Sequence, residues 1–395
     1  MPAIAGLRGT GDWAADERPK NFRETILWRD PNGMTPLTGL LAKMGSQSTD
    51  DPEFAWYEEQ LNLMRVQSDA TGLSASSTAL GLTGGGLDLV PGDLLLVEKT
   101  DAATYDNEIM EVSSVSSDTA IVVKRGQSGT SAAATGTSFF ATKIGNRFAE
   151  GTNSPTASTR NPSKIYNYCQ IFKTAYELTN TAKKTNTRTG DPLKNDKKRK
   201  MFDHAVAMEL AYFFGVRSEV TGANGKPMRT TGGLRQFITT NKTVFTTTPT
   251  VNTFLDAIYP VFDYAGSGAG NERIIFAGNG ALNALNKIIG SNNNVKVNYD
   301  GVIKQYGMAL QQFVTPQGIF YIKTHPLLNT HPRYNNSMFV LNPAAMKYRY
   351  LRDTAAQDNI QAPDADTQKG QWLSEAGLEI NHERTFAYLG NFTSP

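Results

Sequence analysis

The sequence predicts an α+β fold, and three stretches carry that prediction. Residues 89–148 hold short β-rich runs (LVPGDLLLVEKT, NEIMEVSSV, DTAIVVKRG, SFFATKIG) divided by turn signals. Their spacing of about ten residues is that of a small antiparallel sheet or barrel. From Asp191 to about Gly215 runs the longest helical pattern, with Asp191 as N-cap and Pro192 at the first helical position. Residues 229–395 mix helices with strands and end β-rich.

Taken in order, residues 1–33 are polar and turn-rich, with DPNG at 30–33, and read as an extended arm. Thr35 and Pro36 then open a short helix that Gly45 ends. Leu37, Leu40, Leu41 and Met44 fall at i, i+3, i+4 and i+7, one helical face. So short a helix is marginal alone. It must dock its stripe on its own core or on a neighbouring copy. DPEFAWYEEQL, 51–61, is ambiguous: Phe54 and Trp56 share a face as a strand, whereas Phe54, Tyr57 and Leu61 share one as a helix. Small residues at 71–88 read as a linker, and 151–162 as a second connector.

KIYNYCQIFKTAYEL, 164–178, alternates like a strand. The long helix is charged in its first half. Its second half carries Met201, Phe202, Ala205, Val206, Leu210, Phe213 and Phe214 at helical spacing, so one end is wet or partner-bound and the other buried. A Gly/Pro break follows at 221–233. VNTFLDAIYPVFDYA then reads helical despite Pro260, ERIIFAG as a buried strand, NGALNALNKIIG as a helix, and FVTPQGIFYIKTHPLL as one or two strands. The tail is β-rich, with Leu378, Ile380 and His382 alternating.

With 395 residues and 39% hydrophobic content the chain can bury a sizeable core. Its single cysteine, Cys169, excludes an intramolecular disulfide framework and a Cys-based zinc cluster, and fits a reducing compartment. The start lacks the basic and apolar pattern of a secretory signal. No apolar run reaches the about 18 residues of a membrane span. A net charge of +2, from 39 basic and 37 acidic residues, excludes nucleic-acid condensation by charge alone. The charge is uneven, at +6 over residues 183–200 and −5 over 44–64.

Catalytic and metal signatures fail on inspection. TGANGKP, 221–227, has Val220 where a phosphate loop needs Gly and Pro227 where it needs Ser or Thr. DADTQKG, 364–370, matches a calcium loop in part, with Glu375 at position twelve but Lys369 at the turn that needs Gly. GSGAG, 266–270, lies between helix and strand, the reverse of a dinucleotide loop. His204, His325, His331 and His382 show no metal-ligand spacing. His204 reads as a surface or interface residue, and His325 and His331 as turn residues. Cys169, in an aromatic stretch, reads as a buried structural thiol. No catalytic residue, cofactor or metal is expected. The basic run Lys194, Lys197, Lys198, Arg199 and Lys200 has three readings: a nucleic-acid face, a solvated helix end, or a partner for the acidic 50–59 segment of another subunit. Lysines at a helix N-terminus oppose its macrodipole, which an anion nearby would offset.

The order of elements, together with Thr35-Pro36-Leu37, Leu40-Leu41-Ala42-Lys43, Phe54-Ala55-Trp56 followed by Glu58, and VKRGQSGTSAAATG at 123–136, resembles the major capsid proteins of tailed double-stranded DNA phages, with the Hong Kong 97-like fold. The likeness is to a subgroup with an enlarged extended loop, although Ala42 stands where Gly is common. The resemblance implies an N-terminal arm at 1–50 and an extended loop at 51–165 carrying the β insertion of 89–148. It implies a peripheral domain at 166–228 with the spine helix, an axial domain at 229–345, and return strands to the peripheral sheet at 346–395. It also implies a structural subunit of an icosahedral head. Its partners would be its own copies in hexamers and pentamers, portal, scaffolding and decoration proteins, and packaged double-stranded DNA contacted non-specifically. The protein would be assembled in the host cytoplasm, with no membrane. Leu37, Leu40, Leu41 and Met44 would be an inter-subunit clamp, and the basic run an inter-subunit or DNA-facing patch. Three other readings compete: a cellular nanocompartment shell, a hydrolase with a β accessory domain, and a nucleic-acid-binding module using residues 183–200.

Overall fold

The structure, a computed structural model, describes residues 35–44, 46–59, 65–98, 108–155, 159, 161–187, 189–264, 270–291, 302–305 and 308–393. Side chains are described for all of these but 43–44, 289–291, 302–305 and 308–310. The arm expected at 1–33 and most of the GSGAG break lie outside the described residues. The chain divides into two compact units, one spanning Tyr57–Lys164 and the other the remainder.

In the larger unit, two sheets do most of the organising. The first has four strands in the order Ser46–Ser48, Met346–Gln357, Thr367–Ile380 and Gln170–Thr179. The second has seven, ordered Lys242–Val244, Ala387–Gly390, Met338–Leu341, Glu272–Ala277, Ile319–Thr324, Met308–Val314 and Val302–Gln305. Its central strands are apolar in unbroken runs because both of their faces are covered. Strand alternation sorts the two faces. Ile275 and Ala277 join Phe254, Ile258, Ala284 and Leu285 from the helices Val251–Ile258 and Asn279–Ser291. Ile274 and Phe276 point the other way, to Met208, Tyr212 and Phe213 of the long helix Pro192–Phe214.

The ambiguous segment is a strand, Glu53–Glu58, with Phe54 and Trp56 buried, and it pairs with Ser163–Tyr168. The 164–178 stretch forms two strands, and FVTPQGIFYIKT another two. Two expectations are corrected. The 221–233 break holds a hairpin, Ser218–Thr221 with Pro227–Thr230, since Gly222 and the positive φ of Gly225 turn the chain back on itself. The tail does not return to one sheet only. Thr367–Ile380 enters the four-stranded sheet, while Ala387–Gly390 crosses into the seven-stranded one.

The Tyr57–Lys164 unit is an antiparallel sheet in the order Arg65–Gln67, Phe140–Asn146, Asp93–Glu98, Ile109–Ser117, Ala120–Gln127 and Ala79–Gly81. A bridge from Ser68 to Leu82 joins its two ends, closing a small barrel. The barrel begins well before residue 89, so the linker reading of 71–88 is corrected. Ala79–Gly81 is a wall strand, and Leu73, Leu80 and Leu82 are buried beside Leu95, Val97, Met110 and Ile121. Small residues serve close approach here. Gly72 has φ +64, and a Cβ on it would lie 2.9 Å from the Gly136 carbonyl.

Inside the barrel unit, Arg125 forks onto Glu108 with two contacts of 2.6 Å, and the pair is nearly solvent-free. Arg125 also donates to the carbonyls of Ser74, Ser77 and Ala133, and Glu108 accepts the Gly126 amide. Burial pushes the Glu108 carboxyl up, but hydrogen bonds from Arg125 and the Gly126 amide outweigh it and hold the group below its ordinary range. The pair ties the 126–135 turn to the 73–77 segment. Glu108→Ala leaves a buried, uncompensated guanidinium and is expected to cost about 4 kcal/mol. Urea unfolding followed by hydrogen exchange should show the loss in residues 65–146 first.

Candidate functional site

The short helix is there, Pro36–Met44, and the question is where its stripe goes. Leu37, Leu40 and Leu41 are 0%, 0% and 1% exposed, packed in one cluster with Phe172, Tyr212, Phe213, Leu341 and Tyr348. That cluster joins the long helix to both sheets of the larger unit. The inter-subunit clamp reading of these three leucines is therefore corrected. They anchor the arm on their own chain, and no accessible surface is left on them for a neighbour. Met44's side chain lies outside those described.

A carboxylate completes the anchor. Glu209, fully buried on the long helix, accepts the backbone amides of Leu37 at 2.8 Å and Thr38 at 2.7 Å, as well as the Thr38 hydroxyl. These are amides of the first helical turn, which have no partner within their own helix. An anion there also meets the positive end of the helix dipole. On its other side Glu209 lies 2.9 Å from His325 Nε2, itself 0% exposed and edge-on to Phe213 and Phe276. His325 is thus no surface turn residue. Pro326 after it starts a short helix, which aims the imidazole inward.

His204, read as a surface or interface residue, is also buried. Nδ1 lies 3.1 Å from the Thr174 hydroxyl and Nε2 lies 2.7 Å from that of Ser374. The buried face of the long helix starts here and repeats as His204, Met208, Tyr212, with Glu209 and Phe213 beside it. Met201 and Phe202, expected inside, are 52% and 50% exposed because they precede that face. Burial lowers the His204 pKa.

The basic run begins at this helix's N-terminus. Asp191 caps it, accepting the Leu193 amide at 2.9 Å and so supplying the anion the dipole favours. Lys197 pairs with Asp358 at 2.7 Å and lies within 6 Å of the Tyr176 and Trp372 ring centres (5.9 and 5.8 Å), while Trp372 donates to its carbonyl. Asp358 raises the lysine's pKa, and Lys197 lowers that of Asp358. Lys200 pairs with Asp203 one turn on. Lys194, Lys198 and Arg199 are exposed. Lys197 and Lys200, then, have carboxylate partners within the chain.

Nothing in the described residues converges for chemistry. No group of three or more His, Cys, Asp or Glu is placed to hold a metal. The 364–370 segment runs directly into the strand Thr367–Ile380, and Glu375 pairs with Arg352. Cys169 is buried, its thiol pushed up by burial to about 12, far from a nucleophile's range. No described helix is long and apolar enough to cross a membrane. Sequence reasoning missed Glu209, though a signal existed. It lies four residues from both Ala205 and Phe213, so an acid stood on the apolar stripe.

Two measurements test the anchor. Glu209→Gln replaces two acceptor oxygens with one and turns an amide NH2 toward donors. It is expected to undock the helix, so that trypsin cuts after Lys43 at a rate the wild type does not show. Leu40→Ala should cost about 2–5 kcal/mol of unfolding free energy. His204 gives a pH dependence. Its folded pKa lies below the unfolded value of about 6.5, so the unfolded chain binds the proton more readily. Stability should fall as pH drops below about 6.5, and thermal melts of His204→Gln should show a flatter slope there.

Similarity to known proteins runs across nearly the whole chain. A family model described as the SU10 major capsid protein matches residues 7–393. The major capsid protein of Pseudomonas phage PaMx41 is 26% identical over 404 residues, covering 96% of this chain and 94% of that protein. Among solved structures, the capsid of a native GTA particle aligns at TM-score 0.49 and 8% identity over 96% of this chain and 98% of that one. Microbacterium phage Oxtober96 aligns at TM-score 0.49 and 10% identity over 98% and 99%. The holo-SrpI encapsulin complex from Synechococcus elongatus PCC 7942 aligns at TM-score 0.42 and 9% identity over 60% and 78%. With a family model running almost from end to end, the chain belongs to the SU10 major capsid protein family: it is a phage capsid protein, a structural subunit and not an enzyme.

Proposed function

We propose that copies of this chain, in the Hong Kong 97-like fold, form hexamers and pentamers that close into an icosahedral head around double-stranded DNA. The match of the capsid family across residues 7–393 carries this reading. It favours a phage head over a nanocompartment shell. Physical features of the chain support it. A closed lattice gains stability from many modest contacts repeated by symmetry, not from one strong interface. The arm helix is held by its own core, so its leucines are spent within the subunit.

The near-neutral chain suits a wall that DNA is driven into and not one that condenses it. The basic run Lys194, Lys197, Lys198, Arg199 and Lys200 would supply the DNA-facing or inter-subunit patch. Portal, scaffolding and decoration proteins complete the expected set of partners, with assembly in the host cytoplasm and the finished protein in the virion.

Negative-stain electron microscopy of the expressed chain tests the reading. Closed shells or capsomer rings are the expected result. A monodisperse monomer at every concentration and salt tried overturns it. Lys194→Glu combined with Lys198→Glu should leave the shells intact and weaken the salt-dependent retention of DNA by them.

A further inference from the structure

Three Asn-Gly dipeptides occur in the sequence, beginning at Asn32, Asn224 and Asn279. In such a pair the glycine nitrogen can attack the side-chain carbonyl carbon of the asparagine before it, because glycine has no Cβ to obstruct the approach and its backbone bends freely. Asn32 lies outside the described residues. The fold treats the other two differently.

Asn224 and Gly225 sit at the tip of the ribbon Ser218–Thr221 with Pro227–Thr230, and both are exposed. Gly225 has φ +71, and a Cβ on it would meet nothing within 4 Å, so its surroundings are open. The Lys226 amide donates to Asn224 Oδ1 at 3.1 Å. That hydrogen bond polarises the side-chain carbonyl and stabilises the oxyanion formed when its carbon is attacked. The Lys226 ammonium, exposed one residue on, favours loss of the Gly225 amide proton. One restraint opposes the reaction: the Gly225 amide donates to the Gly222 carbonyl at 2.9 Å. A two-stranded ribbon is at best marginal in water, so this bond opens at small cost. Asn279 instead begins the helix Asn279–Ser291, whose Ala281, Ala284 and Leu285 are buried against the seven-stranded sheet. The Gly280 amide donates to Asn335 at 2.9 Å, and a Cβ on Gly280 would collide with Asn336 Oδ1. Its nitrogen is freed only when the helix leaves the body.

We propose that Asn224 is a site of spontaneous covalent modification, converting to aspartate and isoaspartate through a succinimide. Hydroxide removes the Gly225 amide proton. The nitrogen forms a bond to Asn224 Cγ. The Cγ–Nδ2 bond then breaks, and the nitrogen leaves as ammonia after taking a proton from water. A second water opens the ring. Breaking the bond from the Gly225 nitrogen to Cγ gives aspartate, and breaking the bond to the Asn224 main-chain carbonyl carbon gives isoaspartate. The ribbon tip thereby gains a carboxylate beside Lys226. The inference stands apart from the shell reading.

Peptide mapping by mass spectrometry tests it on the unaltered full chain, held folded at mildly alkaline pH. Aspartate and isoaspartate should accumulate at Asn224 in proportion to hydroxide, while Asn279 stays intact. In urea, where the fold is lost, Asn279 should modify as fast as Asn224. Equal rates at the two sites in the folded chain, or no product at Asn224, overturn the proposal. Aspartate without isoaspartate overturns the succinimide route. An Asn279 that stays slow in urea overturns the fold as the source of the difference. Lys226→Glu should slow conversion at Asn224, and an unchanged rate overturns the part assigned to that cation.

Discussion

The larger unit depends on one buried carboxylate. Glu209 sits where the arm helix, the long helix and the strand leading to His325 meet, and it satisfies donors from two of these at once. A charge in so dry a place is costly unless every oxygen is used. Here the amides of Leu37 and Thr38, the Thr38 hydroxyl and the His325 imidazole use them. The leucine stripe supplies the bulk of the attraction and the carboxylate supplies the register. A nine-residue helix could slide or rotate on an apolar bed. It cannot do so with its first turn bonded to a fixed acid.

The same division of labour recurs in the barrel unit. There the Glu108–Arg125 fork plays the part of the polar pin within an otherwise aliphatic interior. In both units the apolar residues make collapse favourable, and one charged group with full hydrogen bonding selects a single arrangement out of the collapsed ones. The surface shows a different economy. Lys197–Asp358, Lys200–Asp203 and Glu219–Arg229 are exposed pairs, worth well under about 1 kcal/mol each. Their effect is on which surfaces repel and which tolerate a neighbour.

Legibility followed periodicity. The arm helix, the long helix with its Asp191–Pro192 start, and the four barrel strands after residue 89 were visible because burial on one face imposes a period on the sequence. The linker reading of 71–88 failed because glycine and serine look alike in a flexible tether and in a tightly packed wall. Only the close approach of Gly72 to Gly136 tells them apart. His204 and His325 were misplaced for a related reason. A polar residue gives no periodic signal of its own, and its burial depends on partners far away in the chain, Ser374 for one and Glu209 for the other. The leucine stripe was read correctly as a docking face. Sequence left open what it docks on, and family resemblance then pointed to a neighbour when the bed was its own core.

The strand order of the larger unit has a consequence for how the protein is made. Thr367–Ile380 lies between two strands of the four-stranded sheet, and Ala387–Gly390 lies between two of the seven-stranded one. Both are interior positions filled by late-sequence residues. A nascent chain that has emerged only as far as Leu341 has the long helix, the arm helix and most strands of the seven-stranded sheet, yet that sheet still lacks one inner strand and the four-stranded sheet lacks both of its own. The bed under Leu40 is likewise unfinished, since Leu378 and Ile380 belong to it. Translation therefore acts as a timer. A nascent chain that has not yet emerged past Gly390 presents no completed body.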